Sequence, residues 1–88
     1  MKKFIVVRYG SNAANQSMCD RAVVGVVLAH DEDHARKIAA VEWTCYNNQH
    51  LVFLRPSEAS YADKREAAEC EPINAVAAEK ELDAKLAD

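Results

Sequence analysis

The most constraining feature of this sequence is a continuous strand-helix-strand pattern over residues 22–55. An apolar run at 22–29 predicts a buried strand, because Val and Leu fill both of its alternating faces. A helix follows from Asp31, whose side chain can accept hydrogen bonds from the first backbone N–H groups. A second apolar run at 51–54 predicts the next strand, which Pro56 ends. In a chain of 88 residues, this unit predicts one small domain with a helix packed on a sheet.

Residues 2–9 are rich in β-branched and aromatic side chains, which predicts another strand before this unit. The helix is predicted over 31–46, and the side chains spaced to face the sheet are Ala35, Ile38, Ala39 and Trp43. The strands on either side of the helix run parallel or antiparallel, depending on whether they are neighbours. The pattern predicts an α+β fold: a small, mostly antiparallel three- to four-stranded sheet with a β-β-α-β core over 1–56 and one packed helix.

The remaining residues, 57–88, form an alanine-rich tail with high helical propensity. Ser60-x-x-Asp63 resembles a helix start, and Pro72 interrupts the path, so two helices are expected at 61–70 and 73–87. Because the strand at 22–29 is apolar on both sides, its second face needs a cover. We expect the tail to pack on the core or on a partner, and the alternative cover is a second copy in a homodimer.

Charge is divided unevenly between these two parts. Residues 1–56 carry seven Lys or Arg and five Asp or Glu, a net charge of +2, whereas residues 57–88 carry four and nine, a net charge of −5. The acidic tail disfavours nucleic-acid binding, which needs clustered basic residues. The apolar run at 4–7 is too short for a signal core or a membrane span. The three cysteines contain no C-x-x-C pair. Their spacing and the lack of a signal core predict free thiols and a cytoplasmic protein.

The polar loop predicted at 10–20 is the main candidate contact surface. It contains one glycine and no lysine, so it is not a phosphate-binding loop. Neutral hydroxyl and amide groups suit specific recognition of a protein surface or a small polar ligand, although a plain solvated loop is the alternative. Tyr46 is a further candidate contact. The predicted partner-binding residues are Ser11, Asn12, Asn15, Gln16, Arg8, Arg21 and Tyr61.

The three histidines and Cys45 are candidate chemical residues. His30 and His34 are four residues apart and could share a metal, but they do not form an H-E-x-x-H motif, and the pattern favours a capped helix start with two surface histidines. Cys45 with His34 or His50 could form a nucleophile pair, but no local signature of a cysteine enzyme is present. We therefore predict no catalytic residues, no cofactor and no resident metal. A metal- or ligand-binding module using His30 and His34 is kept as an alternative.

Two stretches, 26–31 (VVLAHD) and 35–40 (ARKIAA), carry a resemblance to a class of known proteins. In size and element order, the chain resembles small phage-encoded proteins, among them some anti-CRISPR inhibitors. This resemblance implies a small, non-catalytic protein that acts by surface contact, without identifying a site, because fold alone does not determine function. The expectation is therefore a binding protein, phage- or plasmid-encoded, that modulates or inhibits a host factor. A structural subunit of a homodimer is the further alternative.

Overall fold

The computed structural model describes residues 1–10, 21–45 and 48–87, apart from the side chains of residues 86 and 87. Its elements in chain order are the strands and helices β1 (Lys2–Tyr9), β2 (Arg21–Ala29), α1 (Glu32–Glu42), β3 (His50–Leu54), a 3₁₀ turn (Pro56–Glu58), α2 (Tyr61–Ala68), β4 (Ile73–Asn74) and α3 (Ala75–Ala87). The predicted α+β class, with its β-β-α-β order and C-terminal helices, is confirmed.

The sheet has the strand order β3-β1-β2-β4, with β1 and β2 at its centre. β1 pairs antiparallel with β2 and with β3, whereas β2 and β4 are parallel. β2 and β3 are therefore parallel to each other but are separated by β1. The helix α1 connects them by crossing over β1, which explains how a strand-helix-strand unit fits into a mostly antiparallel sheet.

Helices cover both faces of this sheet. On the face that we call the α1 face, Phe4, Val6, Val27 and Phe53 form a buried cluster with residues of α1 and α3. On the opposite face, which we call the α2 face, Ile5, Val7 and Val26 are buried with Ala67 of α2. The apolar side chains of β2 are thus covered on both sides within one chain. The second face of β2 is covered by a helix of the tail.

The helix α1 forms where the sequence predicts it but ends earlier. The Asp31 side chain accepts a hydrogen bond from the backbone N–H of His34, and the residues that face the sheet, Ala35, Ile38 and Ala39, are buried. The prediction of a helix to residue 46 was wrong at its C-terminal end, since the last helical residue is Glu42 and Trp43 has extended backbone angles. Trp, Thr and Cys are weaker helix formers than the alanines before them, which permits this early end.

Trp43 packs on β2 at its glycine. Val6 pairs with Gly25 and Val7 with Val23, so Val24 is an extra residue in β2 and forms a β-bulge. A Cβ atom on Gly25 would lie 2.2 Å from the indole Cζ2 of Trp43. Gly25 is therefore both beside a bulge and at a close contact, and Trp43 is partly buried against the α1-face cluster.

The tail begins as predicted and departs from the prediction after Pro72. Ser60 and Asp63 form a reciprocal capping box at the start of α2. The prediction that residues 73 and 74 are helical was wrong, because Ile73 and Asn74 pair in parallel with β2 as β4. The Asn74 side chain then accepts hydrogen bonds from the next backbone N–H groups and starts α3. A β-branched residue after proline favours extended backbone, and asparagine favours a helix start.

Candidate functional site

The most tightly connected polar group in the described residues lies where β1 ends and β2 begins. Arg21, the first residue of β2, donates two hydrogen bonds of 2.7 Å to the two carboxylate oxygens of Asp63 in α2. Its Nε donates a third, of 2.8 Å, to the hydroxyl oxygen of Tyr9. The Tyr9 ring stacks on His50 of β3 at 5.5 Å between centroids. We call Tyr9, Arg21, His50 and Asp63 the Tyr9 cluster.

The ion pair at the centre of this cluster is asymmetric in exposure. The Asp63 side chain is 5% exposed, whereas that of Arg21 is 38% exposed. The hydrogen bonds from Arg21, opposed by burial and assisted by Ser60, lower the pKa of Asp63 to about 2. The same pairing raises the pKa of Arg21. Bidentate contact to a buried carboxylate fixes the guanidinium, so Arg21 ties the start of β2 to α2.

The structure separates the other predicted partner-binding residues that it describes. Arg8 and Tyr9 are adjacent in β1, and adjacent strand residues point to opposite faces. Tyr9 belongs to the α2 face, so Arg8 lies on the α1 face, in register with Leu51. Tyr61 is 79% exposed and lies two positions before Asp63, about 200° around the helix, so it points away from the sheet. Ser11, Asn12, Asn15, Gln16 and Tyr46 lie outside the described residues.

His30 and His34 lie beside an open cavity of about 410 Å³ between the start of α1 and α3. Their rings stack at 5.1 Å. The Nδ1 atom of His34 accepts a hydrogen bond from the backbone N–H of His30, so its Nε2 carries the proton that faces Glu79 at 2.7 Å. Hydrogen bonding from His34 and the charge of Lys37 lower the pKa of Glu79. This group joins α3 to α1.

These contacts bear on the metal and cysteine alternatives. Both ring nitrogens of His34 are engaged, which argues against a metal shared with His30. Within residues 1–10, 21–45 and 48–87, no group of three or more His, Cys, Asp or Glu is arranged to hold a metal ion. Cys45 and His50 line one cavity but form no hydrogen bond with each other, whereas His34 lies at the cavity between α1 and α3. Cys45 and Cys70 are free thiols.

The cavity at Cys45 is a second candidate site that the sequence did not indicate. It has a volume of about 290 Å³ and lies between α1 and β3, and the residues that line it are Arg36, Ala40, Trp43, Cys45, His50 and Leu51. The sequence offers Trp43 as a core residue and Cys45 with His50 as a possible nucleophile pair, but it does not group these residues with the other three. Only the crossover of α1 above the sheet brings the end of the helix against the start of β3, so no local motif could have identified the cavity.

The sequence does not indicate the Arg21–Asp63 contact either, although it assigns a role to each of the two residues. Arg21 was predicted to contact a partner and Asp63 to start a helix, and they are 42 residues apart. A carboxylate at a predicted helix start can also bind an arginine, but nothing in the sequence specifies which arginine.

Comparison with known protein families, with curated proteins and with solved structures finds no match for this chain. Among the helices of the described residues, none combines the length and the apolar character needed to cross a membrane. The functional conclusion therefore depends on the geometry of the chain itself.

Proposed function

We propose that this chain is a small, non-catalytic, cytoplasmic binding protein that modulates or inhibits a host factor by surface contact, with the segment 11–20 as its main contact surface. Phage or plasmid origin, suggested by the resemblance in size and element order, forms part of the proposal. The observation that supports it best is the anchoring of the residues that flank this segment. Recognition segments are commonly carried by rigid scaffolds, which reduces the entropy lost on binding.

The entry to the segment is held by backbone packing. Gly10 has a φ of 107°, a conformation that favours glycine. A Cβ atom at Gly10 would lie 2.1 Å from the backbone carbonyl oxygen of Asn48. The chain therefore leaves β1 in close contact with the residues that precede β3, and a larger residue at position 10 would push them apart.

The exit from the segment is held by the Tyr9 cluster. Tyr9 and Arg21 are paired in the β1–β2 ladder, so the segment begins and ends at neighbouring positions. Arg21 is further fixed by its two hydrogen bonds to Asp63 and by the one to Tyr9. Both flanks of the segment are thus attached to the sheet, and Ser11, Asn12, Asn15 and Gln16 supply the neutral polar groups proposed to meet the partner.

Arg8 and Tyr61 supply the described part of the proposed contact surface. Arginine and tyrosine are enriched in protein interfaces, because both combine a large contact area with hydrogen-bonding groups. Tyr61 is strongly exposed although it belongs to the first turn of a packed helix. Since Arg8 and Tyr61 lie on different faces of the sheet, a partner that meets both must contact the end of the molecule rather than one face.

The proposal is tested with the double variant Asn12→Ala/Asn15→Ala. Wild type and variant, each carrying the same affinity tag, are used to capture proteins from a lysate of the cells in which the chain is naturally made. We expect proteins enriched by the wild type to be lost or strongly reduced with the variant, at an unchanged melting temperature. The matched control is Lys64→Ala/Glu69→Ala, which changes two exposed residues of the α2 region. Equal capture by all three proteins would remove the segment from consideration.

A further inference from the structure

The strand β3 is an edge of the sheet. In the strand order it has β1 on one side, and within the described residues no strand lies on its other side. Its sequence, HLVFL, contains no Lys, Asp, Glu or Pro. Natural edge strands are commonly protected by such residues, because a row of backbone N–H and C=O groups can otherwise pair with another chain. This edge is therefore chemically suited to accept a strand.

The cavity of about 290 Å³ lies on the α1 face directly beside this edge. Arg36 and Ala40 line it from one flank of α1, since they are four residues apart on the helix, and Trp43 lines it just beyond the end of α1. The opposite flank of α1 faces α3, where Lys37 contacts Glu79 at 3.4 Å. The cavity thus opens between α1 and β3 rather than between the two helices.

We infer that β3 and this cavity form a strand-addition site for an extended peptide segment of another protein, with one apolar side chain of the peptide in the cavity. In this binding mode, main-chain hydrogen bonds to an edge strand supply affinity, and pockets for alternate side chains supply specificity. The volume is just below the range of small-molecule sites, about 300–1,000 Å³, and suits a single side chain. Trp43, Ala40 and Leu51 provide apolar walls for it.

The charges around the cavity indicate an acidic residue next to that apolar side chain. Arg36 lines the cavity and is 53% exposed, and its contact to Glu32, at 3.5 Å, is a surface pair of the weak kind. Arg8 lies on the same face in register with Leu51. Within residues 1–10, 21–45 and 48–87, no carboxylate forms an ion pair with Arg8. Two arginines near one cavity complement an acidic peptide.

A second copy of this chain fits the edge less well. Antiparallel self-pairing about Val52 would place Leu51 and Phe53 of the copy on the α1 face. Phe53 is 6% exposed and Leu51 packs against the same core, so neither side chain can leave its own chain to enter the cavity of the other. The pairing of two five-residue strands also falls well short of the roughly 1,200 Å² buried in stable interfaces.

This inference depends on the proposed function only in requiring a protein partner, and Arg8 is the one residue that the two proposals share. The test pans a phage-displayed library of random twelve-residue peptides against the immobilised full chain. Enriched peptides are synthesised with a fluorescent label, and their affinity is measured by fluorescence polarisation. Chemical shifts of the ¹⁵N-labelled chain then map where each peptide binds.

The decisive variant is Ala40→Phe, which fills the cavity from an exposed position of α1, and its matched control is Ala84→Phe at an exposed position of α3. We expect enriched peptides with an apolar residue next to Asp or Glu, and shift changes at β3 and at the cavity. Ala40→Phe should weaken binding at least tenfold, whereas Ala84→Phe should bind as the wild type does. Asn12→Ala/Asn15→Ala should also bind the peptides normally, which separates this site from segment 11–20.

Three results would overturn the inference. The first is a library that yields no peptide above the uncoated control. The second is a set of peptides whose shift changes lie away from β3, or that bind equally to both Phe variants. The third is sedimentation that shows a dimer at micromolar concentration which Ala40→Phe dissociates, because the occupant of the edge would then be a second copy.

Discussion

Asp63→Asn isolates the charge of one buried carboxylate while keeping its shape. The pKa of Asp63 falls from 3.8 to about 2 in the folded chain, chiefly because Arg21 donates hydrogen bonds to it. At about 1.4 kcal/mol per pKa unit, this fall corresponds to roughly 2 kcal/mol of folding free energy at neutral pH. Since the Arg21 side chain is 38% exposed, water screens part of the interaction. We expect Asp63→Asn to lower the free energy of unfolding by about 1–2 kcal/mol at pH 7.

The pH dependence of this difference has a definite sign. A carboxyl whose pKa is lower in the folded than in the unfolded chain stabilises the fold above its unfolded pKa, 3.8 for Asp63. That stabilisation is lost as the pH falls toward the folded value of about 2. The asparagine variant has no such titration. The gap between wild type and variant should therefore be constant from pH 7 to about pH 5 and should shrink steadily below about pH 4.

Urea unfolding, followed by the fluorescence of the single tryptophan, measures this gap. Trp43 packs on Gly25, so its emission reports the folded sheet. The matched control is Asp33→Asn, which changes an exposed carboxylate in the first turn of α1 and should cost no more than about 0.5 kcal/mol. The reasoning is refuted if the two variants are equally stable at pH 7, or if the gap for Asp63→Asn does not shrink between pH 5 and pH 2.5.

Three other substitutions test contacts seen in the structure. Gly25→Ala places a methyl group against the Trp43 ring and should lower the free energy of unfolding by about 1–3 kcal/mol, with partial recovery in Gly25→Ala/Trp43→Leu, both measured by urea unfolding followed by circular dichroism, because the double variant has no tryptophan. Gly10→Ala forces a methyl group against a backbone oxygen at positive φ and should lower the melting temperature, whereas no change would contradict the close contact. Glu79→Gln weakens the contact with His34 and should speed amide hydrogen exchange in α3 but not in α2.

The helix α1 shows what local sequence can predict. Its start depends on Asp31, and its buried face depends on the spacing of Ala35, Ile38 and Ala39, so both follow from residues within one or two turns. The end of the helix does not follow from nearby residues alone. Trp43 leaves the helix and packs on Gly25, a residue 18 positions earlier in the chain, and this packing accompanies the end at Glu42 rather than at the predicted residue 46. Helix propensity could not place that end, because the contact is tertiary.

The strand β4 shows a second limit of structure prediction from local sequence. Two residues carry no detectable periodicity, so the alanine-rich context led to the prediction of a continuous helix after Pro72. The parallel pairing of Ile73 with Val27 decides the conformation instead. The candidate cavity has the same origin, since its residues come from α1, β3 and the segment between them. Sequence could thus predict the elements that build the site but not the cavity that their packing forms.

The structure brings the acidic residues of the tail, 57–88, into contact with basic residues of the core, 1–56. The tail carries a net charge of −5, yet two of its carboxylates hold it to the core: Asp63 binds Arg21, and Glu79 contacts His34 and Lys37. These contacts neutralise basic groups on the α2 face and at the α1–α3 contact. They do not reach Arg8 and Arg36, which lie on the α1 face near β3. Positive charge therefore remains beside the edge strand, where an acidic extended peptide would gain most from it.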